Sequence, residues 1–114
     1  MADVIDRSVW ASHPTNWQGE ITGKPYGTKV SIIFNTEERI GEGPRLHRHP
    51  YSETFIIRKG NARFTVGGET INVHEGQIII APAYTPHKFE NLGPGTLETI
   101  DIHANEKFVT EWLE

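Results

Sequence analysis

The segment GEGPRLHRHPYSE, residues 41–53, contains two histidines and a glutamate at close spacing. Successive side chains of a β-strand point to opposite faces, so a strand here directs His47 and His49 to the same side. Glu53 follows a short bend at Pro50 and shares a face with the apolar residues that come after it. Two imidazoles and one carboxylate can bind a single cation. The alternative is that this segment is only a polar stretch of an exposed strand.

A fourth ligand has to come from another part of the chain, and His87 is the candidate. It follows Pro82 and Pro86, which stiffen the approach, and it begins another predicted strand. Unpaired polar groups are costly to bury. Three histidines and a glutamate that enter one barrel interior therefore favour a metal site over the exposed-strand alternative.

Short apolar and β-branched runs recur along the chain from Lys29 onward. Glycine-containing turns separate them, and the pair Gly67-Gly68 is typical of a β-hairpin. The predicted strands are residues 30–34, 52–58, 62–66, 69–73, 77–81, 87–92 and 97–103. We expect 77–81 to be a buried strand. Strands of this length and spacing predict an all-β protein built as an antiparallel sandwich or barrel.

The two ends of the chain differ from this pattern. Residues 1–28 have weak periodicity and contain Trp10 and Trp17, so we predict an irregular arm or edge strands whose indoles cover apolar surface. Whether this arm covers the pocket, pairs with a partner subunit or hangs free is left open. Residues 105–114 have apolar residues at helical spacing, which predicts a short C-terminal helix. Residues 29–104 form the barrel between them, and together these segments make one domain.

The composition argues against several functions. The chain has 114 residues, and 11 Lys and Arg against 15 Asp and Glu give it a formal net charge of −4. That balance argues against nucleic acid as a partner. Cysteine is absent, which excludes disulfides, thiolate catalysis and iron–sulfur clusters. The apolar runs are too short to cross a membrane, and the segment MADVIDRSVW lacks the apolar core of a secretory signal. We therefore expect a cytoplasmic protein.

The histidine-rich segment resembles the first sequence motif of the cupin family at every fixed position. Gly41 is followed after five residues by His47 and His49, then after three residues by Glu53, and after six more by Gly60.

A second stretch resembles the second motif of the same family. Gly76 is followed after five residues by Pro82, and His87 is followed after three residues by Asn91. The one departure is Tyr84, which stands where the family usually has glycine. With the flanking strands, the resemblance covers roughly residues 28–104. The two motifs together are specific for the fold and the metal site, and much less so for the reaction.

The resemblance implies a small double-stranded β-helix barrel with one divalent transition metal. The implied ligands are His47, His49, Glu53 and His87. It also implies a homodimer, because small single-domain cupins are often dimers. Such a ligand set suits Fe, Mn, Ni or Zn, and the sequence does not decide among them. Octahedral coordination leaves two positions for water, dioxygen or substrate, whereas tetrahedral zinc would have none left. Metal binding is expected to weaken below about pH 6.5, because the imidazoles must be deprotonated.

Two neighbours of the motifs are candidates for substrate positioning. Arg45 lies two residues before His47, so alternation directs it towards the same cavity, where a guanidinium can bind a carboxylate. The alternative is a solvated arginine at a strand end. The Tyr84 hydroxyl can reach a ligand at the pocket mouth, or the ring can simply pack the loop.

One predicted strand leaves its orientation open. Asp101 and His103 lie on one face of residues 97–103, and Ile100 and Ile102 lie on the other. Alternation does not decide which face is inward, so a proton-transfer role for His103 is only an option.

These residues support three hypotheses about function. The first is a metal-dependent enzyme that acts on a small polar or aromatic molecule, by dioxygenase-like oxidation first and by isomerase or lyase chemistry second. The second is a metal-stabilised module that senses a small molecule without turning it over. The third, a metal-free sugar-nucleotide isomerase, leaves the full ligand set without a purpose.

Overall fold

The computed structural model describes residues 2–114, which form ten β-strands and one short α-helix. In chain order these are α1 (Arg7–Trp10), β1 (Gly19–Ile21), β2 (Ser31–Glu37), β3 (His47–Arg48), β4 (Glu53–Lys59), β5 (Asn61–Val66), β6 (Glu69–His74), β7 (Ile78–Ala81), β8 (His87–Asn91), β9 (Leu97–His103) and β10 (Glu111–Trp112). A single 3-10 turn, Lys24–Tyr26, lies between β1 and β2.

The strands form two antiparallel sheets. One has the order β1-β2-β9-β4-β7 and the other the order β10-β3-β8-β5-β6, with five strands each. Every pair of neighbouring strands is antiparallel. The residues of β9 alternate between buried and partly exposed along the whole strand. Those of β4 alternate in the same way, except at its exposed C-terminal end. The sequence prediction of an all-β antiparallel sandwich or barrel is confirmed.

The core lies between the sheets and is built from the inward residues of six strands, β4 to β9. Phe55 packs edge-on against Phe64, and Phe64 stacks on Phe89, with ring centroids 4.9 Å apart in both pairs. The buried apolar residues that complete this cluster are Ile57, Ala62, Val73, Ile79, Ala81 and Leu97. These side chains fill one end of the space between the sheets, where Asn91 and Thr99 are buried among them. The inward histidines lie at the other end.

The predicted burial of residues 77–81 is wrong for one face of that strand. Ile79 and Ala81 of β7 are buried, but Ile78 is 60% exposed and Ile80 is 61% exposed. These two side chains are exposed because β7 is the edge strand of its sheet, and no other part of residues 2–114 covers its outer face.

The N-terminal arm packs on the outer face of the first sheet. Trp10 stacks on Phe34 of β2 with 3.8 Å between ring centroids, and Trp17 meets the same ring edge-on at 5.1 Å. The Trp17 indole N–H also donates to the carbonyl of Thr99 at 3.2 Å. Strand β1 pairs with β2 of its own chain. The indoles therefore cover apolar surface, as their placement in the sequence suggested.

The predicted C-terminal helix is wrong. Residues 105–107 form bends, no helix follows them, and Glu111 and Trp112 pair with Arg48 and His47 as strand β10. Apolar residues at positions 108 and 112 are also compatible with an extended chain, because alternate residues of a strand point to the same side. The backbone gains partners in β3 and in nearby side chains that a helix would not offer, and this overrides the local helical pattern. Across the described chain, no helix is long and apolar enough to cross a membrane.

Candidate metal centre

The four predicted ligands meet at the polar end of the barrel. His47 lies on β3 opposite His87, the first residue of β8, and Glu53 is the first residue of β4. His49 lies just beyond β3. All four are buried, and their ligand atoms lie within 4.8 Å of one another. The strand arrangement thus brings together residues that are up to 40 positions apart in the sequence (47 to 87).

The outer nitrogen of each imidazole is bound to a backbone carbonyl. His47 Nδ1 lies 2.6 Å from the Arg45 carbonyl, and His87 Nδ1 lies 2.9 Å from the Thr85 carbonyl. His49 Nδ1 lies 2.8 Å from the Val109 carbonyl in the C-terminal segment. A carbonyl oxygen only accepts hydrogen bonds, so each Nδ1 carries the hydrogen and donates it. In the neutral ring the lone pair is then on Nε2, the usual arrangement of a metal-binding histidine.

The inner nitrogens lie against the carboxylate of Glu53. Glu53 Oε1 is 2.9 Å from His49 Nε2 and 3.0 Å from His87 Nε2. His49 Nε2 is buried and has no partner with hydrogen-bond geometry. Lone pairs on nitrogen and oxygen repel at such distances unless a proton or a metal ion lies between them. This donor set fits a divalent cation that is held by His47, His49, Glu53 and His87.

Burial and neighbouring charge act in opposite directions on these groups. Burial alone would raise the pKa of the Glu53 carboxyl. When no metal is bound and the facing nitrogens of His103, His49 and His87 carry a proton, their contacts bring that pKa far below its usual range. Burial lowers the pKa of His47, which favours its neutral, metal-binding form.

A second layer holds Glu53 from the other side. His103 Nε2 lies 3.0 Å from Glu53 Oε2, and His103 Nδ1 lies 2.7 Å from the Tyr51 hydroxyl. That hydroxyl accepts the backbone N–H of Val109 at 3.2 Å. The Tyr51 proton is then free to be donated to His103 Nδ1, which leaves the His103 hydrogen on Nε2, facing the carboxylate. The geometry resolves the open orientation of β9: Asp101 and His103 face inward.

A cavity of about 250 Å³ opens at the histidine cluster. Its apolar wall includes Phe55, Phe89 and Trp112. The lining residues outside that wall are Ile33, Asn35, Glu37, Gly43, Pro44, His47, His49, Glu53, Asp101, His103 and Thr110. Residues 2–28 do not contribute to this lining. The space suits a compact molecule next to the ligand nitrogens.

Asp101 is a second buried carboxyl of the cavity wall, besides Glu53. Its side chain projects from β9, the residue is 4% exposed, and its Oδ1 atom has no hydrogen-bond partner. Burial raises the pKa of Asp101 well above its usual value, and the nearby charge of Glu53 raises it further.

Replacing Asp101 with asparagine is expected to change the pH dependence of stability. A carboxyl whose pKa is raised by folding stabilises the protein fully below its unfolded pKa of 3.8, and this contribution is lost as the pH rises towards the folded pKa. Each unit of difference is worth about 1.4 kcal/mol. Relative to wild type, Asp101→Asn should therefore gain stability as the pH rises from 4 to 7. Urea unfolding of both proteins in EDTA measures the difference, and a difference that is constant with pH would contradict it.

The two predicted positioning residues lie outside the cavity. Arg45 is exposed, and its guanidinium carbon lies 5.3 Å from the ring centroid of Trp112. Tyr84 is 63% exposed and does not line the cavity either. Their proposed contact with a substrate is not part of this geometry.

Tyr84 nevertheless supports the metal site through its backbone. Its N–H donates to the carbonyl of His49 at 2.7 Å, and its φ of 63° is left-handed. The loop therefore keeps a conformation that suits glycine, although the residue is tyrosine.

We expect Tyr84→Gly to be more stable than Tyr84→Ala by about 1 kcal/mol, because left-handed backbone costs an L-residue roughly 1–2 kcal/mol. At an exposed strand position such as Thr70 the order should reverse, since glycine there is less stable than alanine by about 0.5–1 kcal/mol. Urea unfolding of the four variants tests both orders. A more stable alanine at position 84 would argue against the left-handed conformation.

Comparison with known proteins agrees with this geometry. Residues 37–103 match the family model described as "Cupin domain". The uncharacterized protein MJ1618 of Methanocaldococcus jannaschii is 38% identical over 55 residues, which cover 47% of this chain and 44% of that protein. The polyketide synthase CurC of Streptomyces cyaneus is 33% identical over 72 residues, which cover 62% of this chain and 44% of that protein. The chain thus spans less than half the length of these curated relatives.

The fold is shared with a solved structure of Bacillus subtilis oxalate decarboxylase from work on its Mn(II) centres. The TM-score is 0.75 at 24% identity, and the match covers 90% of this chain and 30% of that chain. Two antiparallel five-stranded sheets, a buried cluster of three histidines and a glutamate, and a family match over more than half of the chain lead to one conclusion. The protein belongs to the cupin family.

Proposed function

We propose that this protein is a metal-dependent enzyme that acts on a small molecule bound in the cavity next to His47, His49, Glu53 and His87. The observation that carries the proposal is the buried cluster in which Nε2 of His49 and of His87 faces Glu53, while Nδ1 of all three ligand histidines is bound to a carbonyl. A divalent metal bound there would act as a Lewis acid on substrate oxygen and, if redox-active, would support oxidation by dioxygen. Dioxygenase-like oxidation is the reaction that we put first.

The protein's own residues would fix the substrate and the metal ligands. Phe55, Phe89 and Trp112 provide apolar contact and reduce the water around the reacting groups. His103 and Tyr51 orient the Glu53 carboxylate, so that Oε1 faces the ligand histidines.

Oxygen consumption tests the reaction class. Protein loaded with Fe(II) or Mn(II) is mixed with a panel of small catechols and enediols, and both oxygen uptake and product are measured. Turnover with stoichiometric oxygen uptake supports the proposal. Turnover without oxygen uptake would instead support lyase or isomerase chemistry, in keeping with the fold shared with a manganese decarboxylase. Tight binding without turnover would support the non-catalytic sensor.

We further propose that a second copy of the chain covers the exposed face of β7. Ile78 and Ile80 continue an apolar row across the outer face of the sheet, where Ile56 pairs with Ile78 and with Ile100. A row of this kind is typical of an interface.

Ile80→Lys is expected to convert a dimer into a monomer, because it places a charge in this apolar row. Ile71→Lys, on the other sheet at 36% exposure, is the control that should leave the mass unchanged. Size-exclusion chromatography with light scattering measures both. A wild-type monomer, or a dimer that persists in Ile80→Lys, would contradict the proposed interface.

A further inference from the structure

The charged side chains that line the metal cavity are acidic apart from the histidines. Glu37 on β2, Glu53 on β4 and Asp101 on β9 all contribute carboxyl groups. Within residues 2–114, no lysine or arginine lines this cavity. Arg45, the cation that the sequence directed towards this cavity, is exposed beside Trp112 and does not line it.

Asp101 is the carboxyl of this wall that has an unpartnered oxygen. It is 4% exposed, it faces the cavity, and no protein donor meets Oδ1 with hydrogen-bond geometry. The Thr99 hydroxyl lies close enough to lower the pKa of this carboxyl, but it too has no partner with hydrogen-bond geometry. Buried acceptors are normally satisfied, and one that is left open in a cavity wall is a place for a donor from a ligand. Oδ1 can accept a hydrogen bond in the ionised carboxylate and, as a carbonyl oxygen, in the neutral acid as well.

Glu37 extends the same acidic wall. Alternation along β2 directs Ile33, Asn35 and Glu37 to the cavity side, and all three line it. The Asn35 amide donates to Glu37 Oε1 at 3.3 Å, which holds the carboxylate near the wall. Asp101 lies opposite Ile33 on the neighbouring strand, so the two carboxyls belong to the same side of the cavity.

We propose that the ligand of this cavity is a small molecule that brings hydroxyl or ammonium donors to Asp101 and Glu37, and that this wall selects against carboxylates. This inference rests on the proposed function for the metal that would share the ligand. A hydroxylated or amino ligand satisfies the open acceptor and balances the acidic wall. A carboxylate ligand would bring a second negative charge and no hydrogen-bond donor. The acidic wall would therefore repel it, and this repulsion would make the cavity selective.

Three probes of one carbon skeleton test the proposal: serinol, glycerol and glycerate. Isothermal titration measures their affinities for the full chain, both loaded with Mn(II) and treated with EDTA. The variants are Glu37→Gln and Asp101→Asn, and Glu69→Gln is the control, since it removes the same charge at an exposed position of β6. The informative quantity is the ratio of serinol to glycerate affinity in each variant, because a metal's own attraction for carboxylates cancels in the comparison.

We expect this ratio to fall about tenfold in Glu37→Gln, on the order of one charge interaction, and to stay unchanged in Glu69→Gln. In Asp101→Asn the ratio should fall by a smaller factor, because burial raises the pKa of Asp101 and the substitution removes less than a full charge. We also expect glycerol to bind wild type. A ratio that is the same in all four proteins, or no binding of any probe to wild type, would overturn the proposal. If Mn(II) binds and the ratio does not move, the inference fails while the metal site stands. If no metal binds but the ratio falls in EDTA, the selective wall stands and the proposed function fails.

Discussion

Replacing His49 with alanine is expected to reduce the metal content of the purified protein from about one ion per chain to nearly none. His49 supplies a buried Nε2 that lies 2.9 Å from Glu53 and has no other partner, so its loss opens the ligand set. A metal that binds only the folded state at a hundred times its dissociation constant contributes about 2.7 kcal/mol. In a domain of this size that corresponds to a rise of roughly 10 °C in Tm. Elemental analysis, and Tm with and without added metal, measure both effects.

His74→Ala is the matched control for this experiment. His74 is exposed at the end of β6 and lies outside the buried cluster, so this variant should keep wild-type metal content and the wild-type rise in Tm. The protein should be purified without a histidine tag, because a tag binds the same metals. Metal retained in full by His49→Ala would exclude the proposed ligand set, and metal absent from wild type after reconstitution would exclude the site.

Gly43→Ala is expected to destabilise the protein by about 3 kcal/mol, near the upper end for a single substitution. A Cβ atom at Gly43 would overlap the carbonyl oxygen of Phe89, two residues after the ligand His87. Two backbone hydrogen bonds join the same loop to β8. The Gly41 N–H donates to the Asn91 carbonyl at 2.8 Å, and the Asn91 N–H donates to the Glu42 carbonyl at 2.9 Å. The added methyl must therefore push the loop away from β8.

Gly95→Ala is the control, since a Cβ there has no atom within 4 Å and the backbone is not left-handed. Its free energy of unfolding should change by about 0.5 kcal/mol or less. Chemical unfolding compares the two variants with wild type. Equal stability of Gly43→Ala and Gly95→Ala would mean that the loop does not approach β8 as closely as the structure has it.

The four ligand positions were predictable because strand alternation and motif spacing both act over short stretches. His47 and His49 share a face through the two-residue period, and Glu53 begins the next strand. His87 comes from a distant strand, and the match to the second motif was needed to place it. Strands β2 and β4 to β9 followed from apolar runs between turns, and their predicted bounds differ from the observed ones by a few residues.

The contribution of β9 was not predictable from its pattern. Ile100 and Ile102 form the apolar face of that strand, and an apolar face normally points inward. Here the polar face with Asp101 and His103 is inward, because this end of the barrel holds the histidine cluster and the outer face is covered by other apolar groups. Only the pairing of β9 with β2 and β4 reveals this orientation.

The C-terminal segment was mistaken for a helix for a related reason. Apolar residues at positions 108 and 112 fit both a helical and an extended spacing, and the choice depends on partners that are distant in sequence. Those partners are His49 and Tyr51, which bind the carbonyl and the N–H of Val109. The sequence pattern of residues 105–114 does not indicate these distant partners.

The bond between Val109 and His49 joins positions 60 residues apart, and this has a consequence for the order of assembly. A contact of such separation forms late, after the intervening strands have brought their ends together. During synthesis, the segment with His47 and His49 is made before Val109, so the chain cannot yet hold the His49 ring in its final orientation. Conversely, local opening of the C-terminal segment would remove the acceptor of His49 Nδ1 and the donor to the Tyr51 hydroxyl while the apolar core stays closed. Metal capture and release would then be governed by the last ten residues, and not by unfolding of the barrel.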